Sequence, residues 1–307
     1  MLRPYKKQPL AIPDQIEKLK SKGLLFENDS SSEHFLKNNN YYRFSGYTYS
    51  FRNQSCPNRF FKKGTYFEDI VSLYHFDSQL RSFILNAIEK IEIAFRTQII
   101  NQYSITHKNS HWNQDPSHFL KISENSVFLN DMNNYLGKCK DEFVLHYKKN
   151  YNFPENPPCW VYFELMNFGQ LTSLYENLNT STSCKVDIAK YFGFTKTRDL
   201  EQWMRALRMT RNICAHHSRL WNKSISANIL QNSKNLQRPF IENIPVNPNQ
   251  NKIYAIICGI QYLLNIIEPS NDFRKELKLI MKQKSKNELK AMGFVKDWEK
   301  EPFWNKK

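Results

Sequence analysis

Arg205, Arg208, Asn212, His216 and Arg219 recur at steps of three, four, four and three. That spacing places side chains on one face of an α-helix, provided the helix continues that far. Such a face sets phosphate donors beside an imidazole, the side chain whose ordinary pKa lies nearest neutrality. Nothing in the stripe is acidic, so a helix showing it to solvent would repel itself, and a bound polyanion would relieve the repulsion. The stretch from Ser181 to Lys234 holds 10 basic and 3 acidic residues and so carries a net +7 of the chain's +15. Lys223 lies within it as a further phosphate contact.

The chemistry these residue types suit is cleavage of RNA by its own 2′-hydroxyl. That route needs a group of near-neutral pKa to move a proton, and cations to stabilise charge on the phosphorane. It needs no metal, and the sequence lacks the clustered carboxylates of a two-metal nuclease, so neither cofactor nor metal is expected. His107 and His111, at i and i+4, have no nearby third ligand. Each candidate also has a plainer reading: a lone helical His is usually structural, and Arg211 could pair with a core carboxylate such as Glu89 or Glu92. Arg211 and His216 are five residues apart, about 140° around an ideal helix, and cannot project from one face. The helix is distorted there, or Arg211 reaches round, or a second copy completes the site.

The elements that must position these groups can be read from hydrophobic spacing. Between Thr65 and Asp115 there is neither Gly nor Pro, and Leu73, Phe76, Leu80, Ile84, Ala87, Ile91 and Ala94 recur at three- and four-residue steps, which predicts a long helix. Phe83, Leu85, Ile88 and Phe95 make its second face apolar too, so it is expected to be buried on most sides, in part by another subunit. Glu89, Glu92 and Arg96 share a stripe of it, with Glu92 to Arg96 the natural i,i+4 ion pair. The run Tyr41 to Tyr47 encloses Arg43 and reads best as a core plug with one satisfied cation, although an Arg among tyrosines can also stack on bases.

Further along, Pro13 to Gly23 predicts a short helix, Asn28 to Ser32 a polar stretch, and Trp160 to Asn167 a helix ending at Gly169. Thr197 is expected to cap the helix that carries the basic stripe, with Leu200, Trp203 and Leu207 buried. After a loop rich in Pro and Asn at 239–251, Ile253 to Ile267 reads as a buried core helix, too short and too interrupted by Gln261 and Asn265 to span a bilayer. The tail from Ser270, with 11 basic and 6 acidic residues, suits a solvated helix or a phosphate-contacting face.

Composition bounds the rest. At 307 residues, 40% hydrophobic and 14% aromatic, the chain has ample material for a core, and 8 Gly against 13 Pro makes an all-β sandwich or propeller improbable. The +15 charge favours RNA over an anionic membrane. The six dispersed cysteines read as reduced core residues, and the N-terminus does not read as a secretory signal, so a cytoplasmic protein is expected.

The wording Arg211-Asn212-Ile213-Cys214-Ala215-His216-His217-Ser218-Arg219-Leu220-Trp221-Asn222 contains an Arg followed, after four residues, by a His. That pattern resembles the signature of the HEPN superfamily, many of whose members are metal-independent endoribonucleases. Several further segments accompany it: the Tyr41–Tyr47 run, the Tyr74–Arg96 helix, Pro157 to Leu178, and Met292-Gly293-Phe294 with Trp298 and Trp304. Together they resemble the Abi family of abortive-infection proteins (AbiD/AbiF-like) over essentially the whole chain.

The resemblance implies an all-α fold, a HEPN-like helical bundle core at 65–269 with an N-terminal helical and aromatic extension at 1–64 and a basic C-terminal helical tail at 270–307. It implies a bacterial anti-phage toxin cleaving RNA, with Arg211 and His216 catalytic. Asn212 would orient the phosphate or the imidazole, and His217 would be a second proton-transfer group or a helix-end residue. Arg205, Arg208, Arg219 and Lys223 would contact RNA, while Glu89, Glu92 and Arg96 would support the site or an interface. HEPN nucleases commonly pair their motifs across a two-fold axis, which favours a homodimer, and relatives can be partnered by a small structured antitoxin RNA. The rival expectation is a non-catalytic module that holds a structured RNA.

Overall fold

The computed structural model describes residues 4, 8–225, 229–231, 233–246 and 249–305. Among these there are fourteen α-helices, six short 3-10 turns and four isolated β-bridges, but no strand. The fold is all-α. No helix among the described residues is long and apolar enough to cross a membrane.

The chain divides into two compact units, Met1–Ser82 with His217–Leu220, and Phe83–His216 with Trp221–Lys307. The expected boundary at 64/65 lies inside the first unit and that at 269/270 inside the second. The uninterrupted helix Phe67–His107 contributes its opening turns to the first unit and the remainder to the second.

In the first unit, the helix Ile12–Lys20 buries Ile16 and Leu19 and is followed by Gly23 at a φ of 82°. The polar stretch at Asn28 to Ser32 opens a helix. Asn28 caps the helix Asp29–Asn38 by accepting from the Ser31 amide at 3.0 Å, so the polar residues start a helix. The aromatic run forms the short helix Tyr41–Ser45, which buries Phe44 against Phe67 with ring centroids 4.5 Å apart.

In the second unit the long helix buries Ile84, Ile88, Ile91, Phe95, Ile99 and Tyr103 completely. The helical spacing from Trp160 to Asn167 and the further helix expected from Leu171 are present as Cys159–Glu164 and Phe168–Asn177, with the break between them earlier than the expected stop at Gly169. Asn167 and Gln170 close a reciprocal capping box, which makes Asn167 a start signal and places Gly169 in a first turn. Ile253–Ile267 is the buried helix its composition predicts, with Ile253 through Leu264 all inaccessible.

Gly193, at a φ of 77°, is required by close approach: its carbonyl accepts from the Tyr262 hydroxyl, and a Cβ there would lie 2.2 Å from that oxygen.

The basic tail is more than a solvated face. Phe273, Leu277 and Ile280 recur at helical spacing and are buried, as are Met292, Trp298, Phe303 and Trp304. The Trp304 indole donates to the Tyr254 hydroxyl at 3.2 Å. Lys275, Lys282, Lys286 and Lys290 keep to the exposed side. Of the cysteines, Cys159, Cys184, Cys214 and Cys258 are buried as expected, but Cys56 and Cys139 are only half-buried, and all six are free. Residues 247 and 248 of the expected loop, and Lys306 and Lys307 of the tail, lie outside the described residues.

Candidate functional site

The basic stripe sits on the helix Thr197–Ala215. Leu200, Trp203, Met204, Leu207 and Cys214 form its buried face, and it packs on the helices Phe168–Asn177 and Ile253–Ile267. Lys196 occupies the cap position and Thr197 is the first helical residue, without a side-chain cap bond.

At the other end the helix stops sooner than the stripe. His216 is the C-cap, its amide donating to the Asn212 carbonyl at 3.0 Å, and His217 turns left-handed at a φ of 53°. A left-handed residue just past the cap is a common helix terminator, and His tolerates that conformation better than β-branched residues do. Arg205, Arg208 and Asn212 therefore keep the expected helical relation, but Arg219 does not belong to the helix.

Within the second unit, His216 presents an exposed side chain, and no side chain among the described residues hydrogen-bonds its imidazole. Asn212 is exposed as well. Arg211 is half-buried and its charge acts on Glu92 of the long helix, without a close ion pair between the two among the described residues. Glu92 also receives Arg96 Nη2 at 3.5 Å, and Arg96 reaches the Glu164 carboxylate at 3.3 Å and the Met166 carbonyl at 3.1 Å. Glu89 is exposed.

Burial pushes the Glu92 carboxyl above its ordinary pKa, against the pull of Arg211 and Arg96, with Glu89 adding to the rise. A carboxyl whose folded pKa exceeds its unfolded one holds its proton more tightly when folded, so its contribution to stability declines as pH rises between the two values. Glu92→Gln removes that titration. The melting temperature of the variant relative to the parent is expected to climb as pH rises upward from the ordinary carboxylate range. A difference that stays flat over this rise would mean that Glu92 titrates normally.

Two further cations of the stripe are engaged locally. Arg205 Nε donates to Glu176 at 2.5 Å while half-exposed, so the stripe does find an acidic partner, on a neighbouring helix rather than its own. Arg208 meets only hydroxyls, Thr172 at 3.3 Å and Ser173 at 3.5 Å. Lys223 is half-buried in the segment beyond the helix.

Within the first unit, the residues that follow the motif helix are tied down at three points. The His217 carbonyl accepts from Arg43 Nη2 at 2.5 Å, Arg219 donates to the Gly46 carbonyl at 2.7 Å, and the Leu220 amide donates to Asp77 at 3.2 Å. Arg43 is the satisfied cation of the aromatic run, donating to the Tyr74 hydroxyl and lying over its ring. Arg219, expected on RNA, therefore has a backbone partner.

His217 uses its carbonyl and its backbone conformation rather than its ring. His217→Asn preserves the left-handed turn, and any RNA cleavage is expected to stay within about threefold of the parent. A loss of about a hundredfold or more would make the ring a proton-transfer group.

Sequence reasoning missed Asp77, Tyr74 and Glu164. Asp77 was detectable in principle as a carboxylate on the apolar side of the long helix. His107 and His111 do not act together: the His107 ring lies tilted against that of His118, centroids 4.3 Å apart, whereas His111 bonds Ser110 and the Asn156 carbonyl. The helix ends at His107, which removes the i,i+4 relation. Among the described residues no group of three or more His, Cys, Asp or Glu could hold a metal ion.

A family model described as Abi-like protein matches residues 34–222, a span that includes both the aromatic run and the Arg211–His216 motif. No curated protein and no solved structure matches the chain.

Proposed function

The chain belongs to the Abi-like protein family, and from that premise we propose that it is a metal-independent endoribonuclease of the HEPN kind, acting as an abortive-infection toxin in the bacterial cytoplasm. Family membership by itself points to abortive-infection defence. The observation that carries the finer reading is the His216 imidazole, exposed at the C-cap of the helix that carries Arg211, whose charge acts on Glu92.

In this reading His216 takes the proton of a 2′-hydroxyl, whose oxygen attacks the adjacent phosphorus. Arg211 neutralises the charge that accumulates on the phosphorane, and Asn212 orients the phosphate. The bond to the 5′-oxygen breaks, and that oxygen takes up a proton. The products are a 2′,3′-cyclic phosphate and a 5′-hydroxyl. The second proton transfer falls to an imidazole from a second copy, so the enzyme works as a homodimer with paired motifs. Light scattering that shows a fully active monomer would refute this part.

Glu92 and Arg96 hold Arg211 in place, and Arg205, Arg208 and Lys223 meet flanking phosphates. A small structured RNA is the candidate antitoxin.

Purified protein incubated with labelled total RNA and EDTA is expected to release fragments with cyclic-phosphate ends. A band shift without fragments would instead favour a module that holds RNA without cutting it.

A further inference from the structure

Arg208 faces a cavity of about 370 Å³ in the second unit, between the helices Ile122–Lys138 and Phe168–Asn177. Its lining is chemically mixed in an informative way. Phe119 and Phe128 supply aromatic wall, Asn125 and Glu124 supply amide and carboxylate, and Ser173 lies beside Arg208. Asn125 is only 4% exposed and makes no side-chain hydrogen bond among the described residues. Its amide donor and acceptor are therefore available to something that enters the cavity. Glu124 stands at the mouth, paired with Lys121 at 2.6 Å.

Two features favour an anion at the Arg208 end. Among the described residues the guanidinium is met by hydroxyls alone. The helix Phe168–Asn177 also begins at the cavity, and Gly169 in its first turn keeps that end uncrowded: a Cβ there would sit 3.0 Å from Asn167 Oδ1 and 3.7 Å from Arg208 Cδ. The same lining offers the aromatic surface of Phe119 and Phe128 with the Asn125 amide and the Glu124 carboxylate, which is the combination by which proteins read the edge of a base. The volume is at the small end of ligand pockets, enough for one nucleotide rather than a length of strand.

We infer that this cavity receives one unpaired nucleotide of the RNA, its phosphate on Arg208 and its base against Phe119 and Phe128, with Asn125 and Glu124 selecting a base whose exocyclic amine stands at C6 of a purine or C4 of a pyrimidine, where guanine and uracil carry a carbonyl. Adenine and cytosine fit that description. An Asn amide suits the donor and acceptor edge of adenine, and a carboxylate accepts from the amine of cytosine. Arg208 precedes Arg211 by three residues, about 4.5 Å along the helix, so the pocket would read a position next to the cleaved phosphate. This assignment rests on the RNA reading above and adds to it the origin of sequence preference.

The test uses the full chain and short 2′-fluoro oligonucleotides, which lack the attacking hydroxyl and stay intact. Affinities are compared for A, C, G and U at one central position in an otherwise constant strand. The parent is expected to favour A or C over U by about tenfold or more. Asn125→Leu should reduce that ratio to about twofold, and Glu124→Gln, an exposed substitution that leaves the core alone, should reduce it as well.

RNA binding with no base preference in the parent, or a preference that survives both substitutions, overturns the pocket and leaves the RNA reading standing. Absence of any RNA binding overturns both. A crosslink from 5-iodocytidine at the central position that is confined to residues away from Phe119 and Phe128 would also place the base elsewhere.

Discussion

His216→Ala is expected to lower RNA cleavage by about 10²- to 10⁴-fold, the usual contribution of a positioned general acid or base, and to abolish toxicity in cells. RNA affinity should stay within about threefold, because phosphate contact falls to the guanidinium groups of Arg205 and Arg208. Stability should hardly move, since His216 is exposed and engages the fold through its backbone. Arg211→Ala should cost about 10²- to 10³-fold in cleavage by removing charge stabilisation from the transition state.

Arg211→Ala carries a second consequence that His216→Ala lacks. Glu92 loses one of the two guanidinium groups that oppose its burial, so its carboxyl rises further and the pH dependence of stability steepens. Arg211→Lys keeps the charge but loses the planar fork, so only weak rescue is expected. A His216 variant that still cleaves and still kills would remove the nuclease from this motif. One that loses RNA binding together with solubility would make His216 structural and move the binding-module reading ahead.

Asp77→Ala is expected to destabilise the protein by about 3–5 kcal/mol, a large share of the roughly 5–15 kcal/mol that holds a domain folded. The carboxylate is fully buried and paired with Arg81, whose side chain is 6% exposed. It also accepts from the Tyr47 hydroxyl at 2.6 Å and the Leu220 amide at 3.2 Å. Burial, followed by the nearby Asp77 charge, pushes the Tyr47 phenol well above its ordinary pKa, so it remains a donor at any physiological pH.

Removing the carboxylate leaves a buried guanidinium without its charge partner and frees the segment that carries His217 and Arg219. Asp77→Asn keeps an acceptor and should cost less, though more than a surface substitution. Urea unfolding measures both. A loss below about 1 kcal/mol for the alanine variant would show that water or other side chains replace the network.

Local pattern made much of this protein legible in advance. The long helix, the buried Ile253–Ile267 helix and the Glu92–Arg96 pair follow from residue spacing, because a helix brings i, i+3 and i+4 together whatever surrounds it. The Arg211–His216 wording, its excess of positive charge and its companionship with the aromatic run are likewise matters of order along the chain. They were sufficient for the family.

Tertiary structure decided where the motif helix ends and what each cation meets. The steps 205, 208, 212, 216 and 219 look continuous in one dimension, but a left-handed residue at His217 breaks them, and Arg219 turns to the Gly46 carbonyl instead. Arg205 finds Glu176, 29 residues away, and Arg211 finds Glu92, which is remote in sequence. Arg43 and Asp77 reach the segment after the motif across 174 and 143 residues. No periodicity encodes such partners, because long-range contacts depend on how apolar faces pack and polar groups find their mates only after that packing is set.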